Sequence, residues 1–454
     1  MGGLDMEQEW VKNATYYGDI LGSYVANGTI PMSRLNEMAR RVLLPMYALN
    51  YISPSNGGPN ATANSTSHAE LSLELAVASL ALLKNEGPLL PLAPHQGLKI
   101  ALIGDTDLTG GGGSGGVVRP FTTTLQSAVM GEFPGASVTY FQGNVSGAAA
   151  AAAAADVAVV VVSVWGSEGG DRANLSLGCA PMAGPQSCRY WPDQDALVEA
   201  VASAAPVGKT VVVVRAPGAV LMPWLGSVGA VVNQVFGGQG ANSAVAGLLG
   251  GRFNPAGKLT VSFPKTLNDT WLSWPTPGGP INPNSFPGTD RGGGFPEVDY
   301  AEGLFVGYRW FDNFPDTLLA PLFPFGHGLS FSTFAYSALE LGNNGTLTPS
   351  FPTLDLTFTL ALASGPSGGE VSQLYVAGGL SGDPKKGLKG FAYTFLTPSS
   401  PSQQVRITLS LSDLVTWDVA RHAFVPYPDG SYSVMVGSSS RDLRLAGTVT
   451  VRTG

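Results

Sequence analysis

Across 454 residues only 12% of side chains are charged while Gly (60) and Pro (34) are abundant, a composition of tight loops rather than long surface helices and a length that suits two or three domains. The formal net charge of −8, with no basic block, excludes the electrostatic footprint of a nucleic-acid binder. Two cysteines in one loop and four scattered histidines, His68, His95, His327 and His422, give no metal-ligand spacing, so neither a metal nor a cofactor is expected.

Residues 1–50 read as helical. After Ile30-Pro31, Ser33 is placed to cap a helix whose stripe of Leu35, Met38, Ala39, Val42 and Leu43 follows the helical period. So short a body cannot bury that stripe, which is expected to pack against a larger part of the same domain. A Gly/Pro/Asn/Ser/Thr-rich linker fills 51–67. Ser67-His-Ala-Glu70 has the form of a capping box and predicts a helix through Leu71, Leu75, Ala78 and Leu82, stopped by Gly87-Pro88. Lys84-Asn85-Glu86 then reads as pairing and capping at the helix end.

From there strands and helices alternate, over 68–265. Strands are predicted at Lys99–Gly104, Ser137–Gln142, Val157–Val164, Thr210–Ala216 and Ala230–Phe236, with Leu259–Phe263 as an added edge strand. Helices are predicted at Thr123–Glu132, Ala148–Ala155, Asp193–Ala204, Val220–Leu225 and Ala241–Leu249. The alternation implies a mostly parallel sheet with helices on both faces, an α/β sandwich. The alanine tract and valine run of Ala148–Trp165 change character at Asp156, which suits a helix then a strand rather than a membrane span. Residues 266–332 read as an extended ordered connection held by Tyr308, Trp310, Phe311, Phe323 and Phe325. Over 333–454 seven or eight short strands separated by turns predict an all-β sandwich.

The chemistry gathers after the valine strand, in Trp165-Gly-Ser-Glu168-Gly-Gly-Asp171-Arg172. In open parallel sheets ligands bind outside the carboxyl ends of strands. Glu168 is therefore the first candidate for a catalytic carboxyl. The glycines beside it allow close approach, and such a carboxyl can be part-buried and kept protonated as a general acid. One carboxyl does not make a glycosidase pair. The alternative for the whole Glu168–Arg172 loop is a solvated surface loop with an Asp171–Arg172 ion pair. Trp165, Tyr190 and Trp191 either stack on a sugar face or pack in a core or interface. Gly110–Gly116 lacks the Gly-Lys-Ser/Thr ending of a phosphate cradle and reads as a loop of close approach. His327 reads as a structural turn residue.

Cys179 and Cys188 suit a short-loop disulfide. Sequons stand at Asn13, Asn27, Asn60, Asn64, Asn144, Asn174, Asn268 and Asn344. Both features favour the secretory route, to the extracellular space or cell wall, although Met1-Gly-Gly-Leu-Asp-Met-Glu lacks the basic start and apolar core of a signal peptide. A soluble protein is expected.

Taken in order, several segments resemble family 3 glycoside hydrolases, the β-glucosidase and β-xylosidase group: Gly-Leu-Asp-Met-Glu at 3–7, Ala-Arg-Arg-Val-Leu at 39–43, Leu-Leu-Lys-Asn-Glu at 82–86, Ile-Gly-Asp at 103–105 and the glycine run after it. Glu168-Gly-Gly-Asp-Arg172, Asn254-Pro-Ala-Gly-Lys-Leu259, Glu302-Gly-Leu-Phe-Val-Gly-Tyr-Arg309, Phe323-Pro-Phe-Gly-His-Gly-Leu-Ser330, Leu388-Lys-Gly-Phe391 and Val436–Asp442 follow. The resemblance implies a (β/α)₈ barrel, of which 1–50 is a helical remnant, then an α/β sandwich and a fibronectin type III-like domain. It implies retaining hydrolysis of a β-linked oligosaccharide or glycoside, with terminal glucose or xylose released. Glu168 matches the family's acid/base, and Asp171 and Arg172 would shape the loop or contact sugar. The family's aspartate nucleophile lies ahead of Gly-Leu-Asp-Met-Glu, so this polypeptide is expected to be inactive alone, and Asp5 does not replace it. The alternative expectation is a non-enzymatic carbohydrate-binding or assembly module. No nucleic acid or membrane partner is expected.

Overall fold

The computed structural model describes residues 4–7, 16–52, 65–113, 116, 123–168, 172, 174–178, 193–286, 288–380 and 382–453. Asp171, Cys179, Cys188, Tyr190, Trp191, Asn13, Asn60 and Asn64 lie outside them. The chain divides into two compact units, Met1–Ser65 and Thr66–Gly454.

The first unit carries helices α1 (Asp19–Ala26) and α2 (Met32–Ala48). The cap of α2 is Pro31 and makes no side-chain hydrogen bond, so Ser33 lies inside the helix rather than capping it. Proline suits that end, where no intrahelical donor is needed. Of the predicted stripe, Met38 is buried, Leu35 and Val42 are half-buried, and Ala39 and Leu43 are exposed. Asp5 anchors α2 by meeting Arg34 at 2.9 Å and Arg41 at 3.5 Å.

The second unit begins with a six-stranded sheet of β1 (Ala81–Asn85), β2 (Lys99–Gly104), β3 (Ser137–Phe141), β4 (Val157–Ser163), β5 (Thr210–Arg215) and β6 (Ala230–Asn233), in the order β1-β6-β5-β4-β2-β3. Every pairing is parallel except that of β1 with β6. Helices α3 (Thr66–Ala78), α4 (Leu125–Glu132) and α7 (Ala241–Leu249) cover one face, and α5 (Val145–Ala153) and α6 (Gln194–Ala204) cover the other. The valine strand shows why both faces need cover. Val160 and Val162 enter the core under α5 and α6, while Val157, Val159 and Val161 enter the core under α4 and α7, as strand alternation requires. Side-chain caps start three of the helices: Thr124 accepts from the Ser127 N–H, Asn144 from Gly147 and Asp193 from Ala196.

Three expectations are corrected. The helix opened at 66 ends at Ala78, and the predicted continuation to Leu82 is instead β1. Leu80 and Leu82 enter one core while Ala81 and Leu83 enter the other, a period of two that burial on both faces demands. Val220–Leu225 is not helical, because Pro223 disfavours the helical conformation of Met222; a 3₁₀ turn follows at Leu225–Ser227. Leu259–Phe263 adds no strand to the sheet; the Leu259 and Phe263 amides donate to the carbonyls of His327 and Phe323, both at 2.8 Å.

An edge position belongs to β1, and residues 327–329 lie along it. The Leu329 N–H donates to the Leu82 carbonyl at 2.8 Å and His327 Nε2 to the Leu83 carbonyl at 2.9 Å, which covers an edge that would otherwise offer unpaired backbone groups. The connection before this segment holds a two-residue ladder of β7 (Thr289–Asp290) and β8 (Pro296–Glu297), and helix α8 (Tyr308–Asp312), whose Trp310 and Phe311 are buried with Leu319.

A β-sandwich completes the unit: β9 (Thr333–Leu341), β10 (Thr346–Leu347), β11 (Thr353–Ser364), β12 (Gly368–Ala377), β13 (Lys386–Leu396), β14 (Ser402–Ser410), β15 (Val415–Asp418), β16 (Ala423–Pro426), β17 (Gly430–Gly437) and β18 (Leu443–Val451). A five-stranded sheet, β10-β18-β17-β12-β13, faces a three-stranded one, β14-β11-β9, across a core of Leu356, Phe358, Leu374, Ile407 and Val434, and β15 and β16 form a separate hairpin. Strands β10 and β15 were not among those expected from sequence. Among the described residues no helix is long and apolar enough to cross a membrane.

Candidate functional site

In the six-stranded sheet the order reverses between β2 and β4: the chain leaves β2 for β3 on one side, then returns to β4 on the other. Loops leaving two such neighbours diverge and leave a crevice at their carboxyl ends. The glycine run Gly110–Gly113 leaves β2 here and Trp165–Glu168 leaves β4.

The two loops close on each other through backbone. The Gly112 N–H donates to the Gly166 carbonyl at 2.9 Å. A Cβ on Gly112 would stand 2.1 Å from the Trp165 indole, and one on Gly113 would stand 2.9 Å from Glu168 Cγ and 2.8 Å from Ser167 Oγ. Any side chain at either position would displace the tryptophan or the glutamate, which explains the glycines. Gly113 also has φ +59°, the left-handed region that costs other residues energy.

Glu168 is exposed at the mouth of this crevice rather than part-buried, as its glycine neighbours suggested. An exposed carboxyl held at its stem by a glycine loop can exchange a proton with a substrate oxygen brought within hydrogen-bond reach. Trp165 is half-buried against Gly112, with its ring engaged by the loop. Arg172 is half-buried: Nη1 donates to the Ala219 carbonyl at 2.8 Å, and burial lowers its pKa. That geometry ties two loops together. Asp171 and the two cysteines fall outside the described residues. Of the sequon asparagines that are described, Asn27, Asn144, Asn174, Asn268 and Asn344 are all exposed.

Sequence reading missed Arg215. It ends β5 fully buried, with Nε donating to Gln234 at 3.0 Å, Nη1 to the Thr106 carbonyl at 2.8 Å and Nη2 to Asn242 at 2.6 Å. Burial pushes its pKa down to about 10, opposed by Asp105 and Asp107, so it remains charged at neutral pH. The guanidinium thus fixes the first residues of the glycine-bearing loop to β6 and α7. The signal was an arginine closing an otherwise apolar strand, Thr210–Arg215, where a buried charge needs a full set of partners.

A cavity of about 410 Å³ lies apart from this crevice, lined by apolar groups of Leu175, Ala219, Trp271, Tyr308, Phe311 and Phe325, with Glu168 not on its wall. Among the described residues no three His, Cys, Asp or Glu side chains come together as metal ligands.

This geometry has close counterparts. The family model of the glycosyl hydrolase family 3 C-terminal domain matches residues 80–308, and that of the fibronectin type III-like domain matches residues 370–440. A probable beta-glucosidase L of Aspergillus terreus is 30% identical over 99% of this chain and 63% of its own length. The thermostable beta-glucosidase B of Acetivibrio thermocellus is 31% identical over 99% of this chain and 56% of its own. The crystal structure of a Streptomyces venezuelae beta-glucosidase in complex with D-glucose superposes with a TM-score of 0.82 at 27% identity, covering 97% of this chain and 67% of that one. The chain spans about three-fifths of the length of these curated relatives.

Proposed function

Because the chain belongs to glycosyl hydrolase family 3, we propose that it carries the proton-transfer part of a retaining β-glycosidase acting on terminal β-linked glucose or xylose, with Glu168 as acid/base. The observation that carries this reading is the position of Glu168: at the carboxyl end of β4, beside the reversal of strand order, its stem held against Gly113. Glu168 protonates the departing glycosidic oxygen and then takes a proton from the water that releases the sugar. Both steps need only a solvent-accessible carboxyl with a fixed stem. The covalent step needs a second carboxylate roughly 5 Å away, and we place that aspartate nucleophile outside these residues.

Supporting roles follow from the geometry and from the family pattern. Arg172 shapes the loop through Ala219, Asp171 shares that task or contacts sugar, and Trp165 closes the loop against Gly112. We assign a disulfide to Cys179 and Cys188, N-glycans to the sequon asparagines, and an extracellular or cell-wall location. The proposed partition is a barrel remnant at 1–50, a linker at 51–67, an α/β sandwich at 68–265, a connection at 266–332 and a fibronectin type III-like domain at 333–454.

The test has two arms. The 454-residue polypeptide alone is expected to leave an aryl β-glucoside and an aryl β-xyloside intact; turnover at ordinary enzyme rates would overturn the placement of the nucleophile. Joined to the barrel of a relative, it is expected to hydrolyse the glycoside, and Glu168→Gln is expected to lower kcat by about 10²–10⁴-fold. Undiminished kcat in that variant would overturn the role of Glu168.

A further inference from the structure

A second cavity, of about 210 Å³, opens far along the chain from Glu168, where α8, β13 and the β15–β16 hairpin meet. Its wall includes Arg309, Asp383, Lys386, Lys389, Trp417 and Tyr427. In a chain with 32 acidic and 24 basic side chains, a pocket with three cations and one carboxylate is out of keeping with the rest of the surface.

The partners of these charges decide what the pocket lacks. Lys386 is neutralised by Asp312, 2.5 Å away. The ammonium of Lys389 donates to the Asp413 backbone carbonyl, a neutral acceptor, and lies over the Tyr427 ring at 5.6 Å. Asp383 is already engaged: Oδ2 accepts from the Gly379 and Leu380 amides at 3.1 and 2.9 Å, and Oδ1 from the Thr416 hydroxyl at 3.4 Å. Arg309, half-buried, has its guanidinium 5.7 Å from the Tyr308 ring, and among the described residues its side chain makes no hydrogen bond or ion pair. A half-buried arginine fork with unused donors, next to a lysine that Asp413 and Asp383 influence only from beyond ion-pair distance, is matched by a planar anion. Beside it stands an apolar wall. Trp417 and Phe424 pair across the hairpin with ring centroids 5.1 Å apart, and remain 46% and 68% exposed. Large rings left open to water beside a pocket are characteristic of a ligand with an apolar face.

We propose that this pocket binds a hexuronate, its pyranose face on Trp417 and its carboxylate on Arg309 and Lys389. A sugar acid uses both halves of the site, as does an aromatic carboxylate, and titration with benzoate separates the two. Inorganic phosphate satisfies the cations and leaves the indole bare, whereas a neutral hexose covers the indole and leaves Arg309 unmatched. The site is independent of Glu168 and of the family's reaction.

The test is calorimetric titration of the full 454-residue chain with sodium D-glucuronate, D-glucose, inorganic phosphate and benzoate. Saturable glucuronate binding is expected, with each of the other three weaker by at least about tenfold. Arg309→Gln is expected to weaken glucuronate binding by at least about tenfold, with part of the loss recovered in Arg309→Lys, and Trp417→Ala to weaken it comparably. Circular dichroism melts establish that each variant folds; if Trp417→Ala does not, Phe424→Ala on the open rim takes its place. No saturation with glucuronate, equal binding of glucose, phosphate or benzoate, or undiminished binding in folded Arg309→Gln would each overturn the proposal.

Discussion

His327 shows how one side chain can set the pH range of the fold. Burial holds its imidazole below the ordinary value of 6.5, aided by Lys258 and opposed by the hydrogen bond to Leu83 and by Asp442. Its ring stacks on Phe323 at 5.1 Å while Nε2 serves the Leu83 carbonyl. The unfolded chain therefore takes up a proton near pH 6.5, before the folded protein does. In that window the unfolded state binds more protons, so stability is fully present above pH 6.5 and declines as pH falls toward the lowered folded value. Thermal midpoints measured from about pH 7.5 to about pH 5.5 are expected to drop more steeply in the native protein than in His327→Gln. Equal slopes would show that another group governs acid sensitivity.

At the scale of elements, β2 and β4 position the crevice, and Gly104 sets their spacing. A Cβ on Gly104 would stand 2.2 Å from the Val161 carbonyl oxygen, and its φ is +104°. Backbone cannot yield as a side chain can. Gly104→Ala is expected to destabilise the protein by about 2–4 kcal/mol, read from denaturant midpoints. These two strands were legible because burial on both faces leaves a continuous apolar run, and most sandwich strands because alternation and turns bracket them. β1 was not legible: Leu71, Leu75, Ala78 and Leu82 continue a helical stripe past the point where chain reversal ends the helix, yet Leu71 and Leu75 are exposed and Ala76 is the buried residue. The location of Glu168 at the carboxyl end of β4 followed from its place in the chain directly after the valine run. Arg215 did not, since its partners at Thr106, Gln234 and Asn242 come from three separate segments that no local spacing connects.

Over the whole second unit, polar contacts join the α/β sheet region to the sandwich. Asn254 donates to Ser332 and the Ser367 carbonyl and accepts from Ser330 and the Phe331 amide. Lys258 meets Glu370 at 3.2 Å with both side chains at most 10% exposed, and Glu370 also accepts from the Tyr336 hydroxyl at 2.9 Å. Removing one partner of such a pair strands the other charge, a cost of about 3–5 kcal/mol. Lys258→Met is expected to lower stability by about that amount and to separate a single unfolding transition into two; Arg421→Ala, at an exposed pair with Asp418, is expected to cost less than about 1 kcal/mol. One transition in Lys258→Met with unchanged midpoint would show that apolar contacts alone couple the two regions. The segment lying along β1 has a consequence for biosynthesis. Strand β1 joins the sheet only through β6, whose last residue, Asn233, leaves the ribosome 94 residues before His327, which at about 5–20 residues per second amounts to roughly 5–20 s. Throughout that interval the nascent sheet presents a bare margin to every neighbouring chain, so abundant holdase chaperones should govern how much of the product emerges soluble.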